Sequence, residues 1–426
     1  MTDLALGIDL GTSGVRSAVI DADGRVVAMA RGRYGDGPND YRDPARWWAA
    51  TTDCLTAQMQ ALREAGADPH RIAGVAVDGT SGSLVLTDAS LDPVTAALMY
   101  DDSGFVAEAA QIAGVAPDAH VAQGPGSALA RALRLVAEDE AGRAAHLLHQ
   151  ADFVAAKLSG RGGWTDFNNA LKSGLDPATG QWPDWMGGLP LPVDLLPQAV
   201  PPGTSLGTVD AGVARKLGLP ETAKVHAGTT DSIAAFLAAA DPVPGAAVTS
   251  LGTTLAVKLC TEQRIDDPEL GLYAHRLSKS WLIGGASNTG GGVLRSLFSK
   301  ADLDRLSTQI DPTVESSLDY YPLLRPGERF PINDPNMAPR MAPRPTDDAA
   351  FLHGLLESMA RIERRAFEVM IDRGAPRPER ILTSGGGAGN ATWTAIRSRV
   401  LNIPVKEAEF SEAAIGAARL VRISSC

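Results

Sequence analysis

LALGIDLGTSGVRSAVIDADGRVVA, residues 4–28, reads as strand, tight turn, strand, tight turn, strand. Leu4 to Asp9 is a short apolar run ending in a carboxylate, Gly11-Thr12-Ser13-Gly14 is a turn, and Val15 to Ile20 is β-branched and partly alternating. Asp23-Gly24 reverses the chain into a third strand, Arg25 to Ala30. The glycines let the backbone of the first turn approach a ligand closely. Thr12 and Ser13 add hydroxyls beside free N–H groups, a combination suited to phosphate oxygens. Asp9, at the mouth of the turn, is placed to hold Mg2+ through water. An ordinary hairpin with a solvated Asp is the plain alternative.

Residues 246–260, AAVTSLGTTLAVKLC, repeat the layout: apolar strand, Leu-Gly-Thr-Thr, strand. Aligning Leu10-Gly11-Thr12-Ser13 with Leu251-Gly252-Thr253-Thr254 sets Asp9 opposite Ser250. Two such hairpins imply a duplicated domain, with a turn from each half facing one ligand across a central cleft.

At 426 residues the chain has room for two or three domains, and 44% hydrophobic with 21% charged residues is a globular composition. A formal charge of -11 without like-charge blocks argues against nucleic acid as a partner. Three widely separated cysteines, Cys54, Cys260 and Cys426, favour a reducing compartment. Met1-Thr2-Asp3 leads directly into the first strand and no apolar run spans a bilayer, so the expectation is a cytoplasmic protein, monomer or homodimer, without membrane contact.

Asp43-Pro44 reads as N-cap and first residue of a helix carrying Trp48, Thr51, Leu55, Met59 and Leu62 until Gly66. Residues 72–87 form strand, turn and strand, with Asp78-Gly79-Thr80-Ser81 at the bend, where Asp-Gly is a common hairpin turn. Residues 127–158 are helical in period; His146 and His149 lack further ligands, so a helix face fits better than a metal pair. Asp231, between a strand at 224–228 and a helix at 232–240, reads by itself as an N-cap. Proline and glycine in 239–245 mark the domain boundary, giving domains 1–243 and 244–426. In the second half, the glycines around Gly290 admit a nucleotide or serve tight turns. A strand at 381–384, a glycine loop and a helix at 392–401 bring backbone against a purine or ribose, with Gly386, Gly387 and Asn390 as adenosine-side candidates. The helix at 347–374 is amphipathic, with Phe351, Leu355, Met359, Ile362 and Phe367 toward a core.

GIDLGTSGVRSAVID resembles the first phosphate motif of the FGGY carbohydrate kinases, within the actin-like and Hsp70-like ATPase superfamily. HAGTTDSIAAF, TSLGTT, YYPLLRPGERFPINDP and SGGGAGNATWTAIRSRVLNIPV extend the resemblance over nearly the whole chain. It implies two α/β domains of the ribonuclease-H-like type, each a mixed five-stranded sheet with helices on both faces, and an ATP- and Mg2+-dependent sugar kinase. Gly11, Thr12, Ser13, Gly252, Thr253 and Thr254 then belong to the nucleotide, Mg2+ lies near Asp9, and Asp231 falls at the catalytic Asp, with Asp9 and Thr12 beside it. The sugar side takes Asp78, Gly79, Thr80, Ser81, Asp102, Asp166 and Asn169. Relatives often carry Trp-x-Asp-x-Arg where this chain has Tyr100-Asp101-Asp102-Ser103-Gly104, so the arginine is missing. Asp40-Tyr41 and Trp47 also sit where the family approaches sugar, although a buried anchor suits a lone Trp. DGTSGSLVLTD and TDFNNALK resemble compact pentulose kinases, which puts D-ribulose first as substrate, D-xylulose second and glycerol or another polyol third. A non-catalytic ATP-switched module of the actin-like type is the other class.

Overall fold

The computed structural model describes residues 3–37 and 39–423. The chain start at Met1-Thr2 and the Cys426 thiol lie outside them. Two α/β units are present. One holds the described residues up to Ala238, His275–Ser278 and the chain from Glu412; the other holds Ala239–Ala274 and Lys279–Ser411.

The first unit is built on β1 (Leu4–Gly11), β2 (Gly14–Ile20), β3 (Val26–Gly32) and β4 (Ile72–Gly79). It adds two short pairs, β5 (Leu84–Thr87) with β6 (His146–His149) and β7 (Trp164–Asp166) with β8 (Gln198–Val200), and then β9 (Ser205–Thr208) and β10 (Lys224–Thr230). Its main sheet runs β3-β2-β1-β4-β10-β9, six strands where five were expected, because the short antiparallel β9 adds to the free edge of β10. β1, β4 and β10 are parallel and central. The helix Pro44–Glu64 packs on one side, started as expected by Asp43, whose side chain accepts from Ala45 N at 2.9 Å. Trp47 is its buried anchor: the ring meets Phe153 edge-on at 5.9 Å and Nε1 donates to Tyr41 O at 2.6 Å.

The opposite face of the sheet is covered by the helix Ala413–Ile423, which the 243/244 boundary had assigned to the second domain. The approach is close enough to require small residues. A Cβ on Gly7 would stand 1.9 Å from Ala414 O, and one on Gly416 would stand 1.8 Å from Ala234 O.

In the second unit, β11 (Ala247–Leu251) and β12 (Leu255–Thr261) form the repeated hairpin. Ser280–Ser287 lies antiparallel to β12, while Ile381–Ser384 and then Val405–Glu407 continue parallel from β11. The helix Asp348–Asp372 buries Phe351, Leu355, Met359, Ile362 and Phe367 as its periodicity predicts. Cys54 and Cys260 are free, buried thiols.

Two local expectations change. Residues 127–158 are not one helix: Ala128–Glu138 and Gln150–Ser159 are helical, but His146–His149 is β6, paired with β5. Asp78-Gly79 is not a hairpin turn; both residues lie inside β4, between two parallel neighbours, and the turn falls at Ser81-Gly82.

Candidate active site

Three neighbouring parallel strands of the first unit carry a carboxylate at or next to the same end. Asp9 near the end of β1 is in register with Asp78 on β4, Asp78 is in register with Thr229 on β10, and Asp231 follows the last residue of β10 directly. Parallel strands with both faces covered end together, and their carboxyl ends are where α/β sheets place ligands.

Asp9 is 5% exposed and Asp78 0%. Arg16, opposite Asp9 on β2, donates to Asp9 Oδ2 at 3.3 Å. Burial nevertheless pushes the Asp9 carboxyl above its usual range. Asp78 is pushed well up, first by burial and then by the charges of Asp9 and Asp231. Neither oxygen of Asp78 accepts from an N–H or hydroxyl group; its hydrogen-bonding neighbour is the Asp9 carboxyl. Two carboxyl groups so placed need a proton or a cation between them. Among the described residues no group of three His, Cys, Asp or Glu is arranged to hold a metal alone. A donor set of one or two carboxylates with orphaned oxygens fits Mg2+ that arrives with phosphates and keeps part of its water. Asp231 is the first residue of the helix Asp231–Ala239, and its Oδ1 accepts from Ser232 N at 2.6 Å.

The first turn is a two-residue loop, with Gly11 paired to Gly14 and Thr12 and Ser13 exposed between them. Tyr34 OH steadies it by donating to Gly11 O at 2.8 Å. Beside it lies a cavity of about 350 Å3 lined by Ser13, Gly14, Arg16, Arg31, Arg33 and Asp36, among others. Arg16 and Arg31 stand opposite each other on β2 and β3, and Glu412 reaches both, at 3.7 and 3.6 Å. Such a cavity suits anionic oxygens.

Thr80 follows β4, and its Oγ1 donates to Gln150 Oε1 at 2.7 Å and shares a 2.6 Å hydrogen bond with Ser83 Oγ. Ser81 Oγ has no partner. The 166–172 stretch is neither a loop nor on the surface. Asp166 caps the short helix Phe167–Lys172, accepting from Asn168 N at 2.8 Å and Asn169 N at 3.2 Å, while Asn169 Nδ2 donates to Asp166 Oδ2 at 2.6 Å. Burial, helped by Asp152, pushes Asp166 up to about 7. Asn168 is spent between Thr229 Oγ1 and the Arg276 backbone. Asn169 Oδ1 alone in this group is left buried without a partner.

In the second unit, the turn Gly252–Thr254 is packed by the glycines that follow Ser280–Ser287. Gly291 N donates to Gly252 O and Gly292 N to Thr253 O, both at 3.0 Å. A Cβ on Gly290 would stand 2.6 Å from Thr254 C, so this glycine serves the close approach of its own backbone. Arg295, which the sequence reading did not single out, donates to Thr253 Oγ1 at 3.0 Å. The loop 320–335 also acquires a role: buried Glu328 accepts from Ser287 Oγ, Asn288 N and Tyr321 OH and so fixes the end of that strand. Of the adenosine-side candidates, Gly386 has open space at its Cβ position, whereas a Cβ on Gly387 would meet Leu251 and Trp393 at 2.8 Å. Asn390 caps the helix Ala391–Leu401 through Trp393 N and donates to Ser307 Oγ, so its side chain is occupied.

Comparison with known proteins gives the same reading over the full length. Residues 4–238 match the N-terminal domain, and residues 247–424 the C-terminal domain, of the FGGY family of carbohydrate kinases. A xylulose kinase of Streptomyces coelicolor is 29% identical over 97% of this chain and 86% of its own length. A glycerol kinase of Acidovorax ebreus is 27% identical over 99% and 90%. The solved xylulose kinase of Rhodospirillum rubrum superposes with a TM-score of 0.83 at 25% identity, covering 99% of this chain and 90% of that one. The chain belongs to the FGGY family of carbohydrate kinases and is an ATP-dependent sugar kinase.

Proposed function

We propose that the chain transfers the γ-phosphoryl group of ATP to the terminal hydroxyl of a ketopentose. The observation that carries this reading is the convergence of Asp9, Asp78 and Asp231 at the ends of three adjacent parallel strands. Asp231 serves as general base, taking the hydroxyl proton as the oxygen attacks in line. Asp9 and Asp78 are the residues that would hold Mg2+, which would neutralise charge on the phosphates. Gly11, Thr12 and Ser13 give the first turn's donors to phosphate oxygens, with Arg16 alongside. Thr253 and the open backbone at Gly386 serve the nucleotide in the second unit.

The relatives named xylulose kinase favour D-xylulose. The segment Asp78-Gly79-Thr80-Ser81, which resembles the ribulokinase-type branches, keeps D-ribulose as the second reading. These sugars differ only in configuration at C3, so the choice rests on a few polar contacts. Coupled ADP release with D-xylulose, D-ribulose, glycerol and no sugar tests the proposal. A stimulation by one ketopentose well above glycerol is expected. Equal rates with and without every ketose would remove ketopentose as the substrate class.

A further inference from the structure

Asp102 is the expected sugar contact whose carboxylate is already committed. Arg42 Nη1 donates to both of its oxygens at 2.6 Å, and Met99 N donates to Oδ2 at 2.7 Å. Its backbone carbonyl accepts from buried Arg131, Nη1 to O 2.7 Å. Gly104, at φ +94°, brings no side chain of its own where the family pattern has arginine, and the space at its Cβ position is open.

Arg42 has the capacity that Asp102 lacks. It comes from the short helical turn Asp40–Arg42, and its side chain is 31% exposed. A guanidinium carries five N–H donors in a planar fork. Nη1 is spent on Asp102, and Nε donates to Tyr41 OH at 3.0 Å. Nη2 makes only a 3.9 Å approach to Asp101. The Tyr41 ring lies 5.0 Å beneath the guanidinium and helps to fix its plane.

The pair also stands at the reacting end of the unit. Tyr100, 45% exposed, donates its amide to Ser83 Oγ at 3.0 Å, and Ser83 is hydrogen-bonded to Thr80, the residue after β4. Burial and the charges of Asp101 and Asp231 push the Tyr100 phenol up, so the segment lies within electrostatic reach of Asp231.

We propose that Arg42 is a specificity-determining residue of the sugar site, donating through Nη2 to a hydroxyl or the carbonyl oxygen of the ketose, with Asp102 as the positioning residue that holds its guanidinium. The inference rests on the ketopentose-kinase reading above. The guanidinium that the family pattern places two residues after Asp102 reaches it here from 60 residues earlier in the chain.

Steady-state kinetics with the ketopentose that the wild-type chain uses best, together with thermal melting, test it on Arg42→Gln, Arg42→Lys, Asp102→Asn and the double variant Arg42→Gln/Asp102→Asn. Loss of one hydrogen bond from a charged donor should raise the ketose KM about 10- to 100-fold and leave KM for ATP unchanged. Arg42→Lys keeps the ion pair, and with it the fold, but loses the fork, so its ketose KM should rise as well. Asp102→Asn should raise the same constant, and the double variant should be no worse than Arg42→Gln, because Asp102 acts only through Arg42. An unchanged ketose KM in both Arg42 variants, or an equal rise in KM for ATP, overturns the assignment. Additive losses in the double variant overturn it too, since Asp102 would then meet the sugar itself. Failure of the underlying reading is distinct: it shows in the wild-type chain, as ADP release that no ketose stimulates.

Discussion

In the first unit β1 lies against β4 with Asp9 opposite Asp78; in the second, β11 lies against Ile381–Ser384 with Ser250 opposite Ser384. The hairpin and the parallel strand beside it are laid out alike, yet one pair is two carboxylates and the other two hydroxyls. Charge in the second unit is placed elsewhere. Glu363 and Arg397, both 0% exposed, form a two-pronged ion pair at 2.6 and 2.7 Å, taking a hydrogen bond from Thr249 on β11 and giving one to Thr383 on the neighbouring strand. Both partners of that pair are satisfied, and it ties the two strands together. Asp78 in the first unit accepts from no N–H or hydroxyl group and faces the Asp9 carboxyl instead. A buried carboxyl beside that of Asp9 calls for a proton shared between the two or for a cation brought by a ligand. The two units thus differ in what stands at matching positions: a buried pair of carboxyl groups in the first, hydroxyls and a satisfied ion pair in the second.

The largest effect that can break this division is at Asp231. Asp231→Asn keeps shape and hydrogen bonding but cannot take a proton, so kcat should fall by about 10²–10⁴-fold. The melting temperature should hold. Turnover close to wild type would remove Asp231 from the chemistry and leave it as the start of its helix. Thr253→Val comes next, because it removes one hydroxyl from the second turn with little change in volume. KM for ATP should rise by up to about tenfold, the scale of one hydrogen bond. If KM and kcat both stayed put, the second hairpin would have no part in nucleotide binding.

The smallest effect is on stability. Asp166 has a folded-state pKa of about 7, above the ~3.9 of an unfolded chain. Between those values the folded protein keeps a proton that the unfolded chain has released, so wild-type stability falls as pH rises through the window and levels off above it. Asp166→Asn retains the cap and has nothing to titrate. Its melting temperature relative to wild type should therefore climb from about pH 5 to about pH 8. A difference that stays constant with pH would mean that Asp166 is ionised throughout.

How much of this was legible depended on how local the signal is. The hairpins, the helix from Pro44 and the long helix from Asp348 could be read because turn glycines, caps and apolar spacing all lie within each segment. His146–His149 could not: four residues between two helices fit either period, and what makes them a strand is β5, some sixty residues earlier. Asp78-Gly79 has the composition of a turn, and only its two parallel neighbours make it strand. The 166–172 stretch was recognisable as polar, but its burial comes from residues far away, Thr229 and Arg276 among them. Arg42 left no mark at all, because a charged residue before Asp43-Pro44 looks like surface until Asp102 is set beside it.

The helix Ala413–Ile423 has a consequence for how the chain is made. It packs on β1 and β4, at the opposite end of the described residues, and can do so only once the chain between them is made. Until then one side of the sheet, including the bare backbone at Gly7, has no cover, while nearly the whole second unit lies between the two and can close on its own contacts. Contacts separated by about four hundred residues are slow to form and leave apolar surface open to wrong partners meanwhile. The first unit thus depends on a contact that nearly the whole described chain separates, while the second can complete itself from an almost continuous stretch.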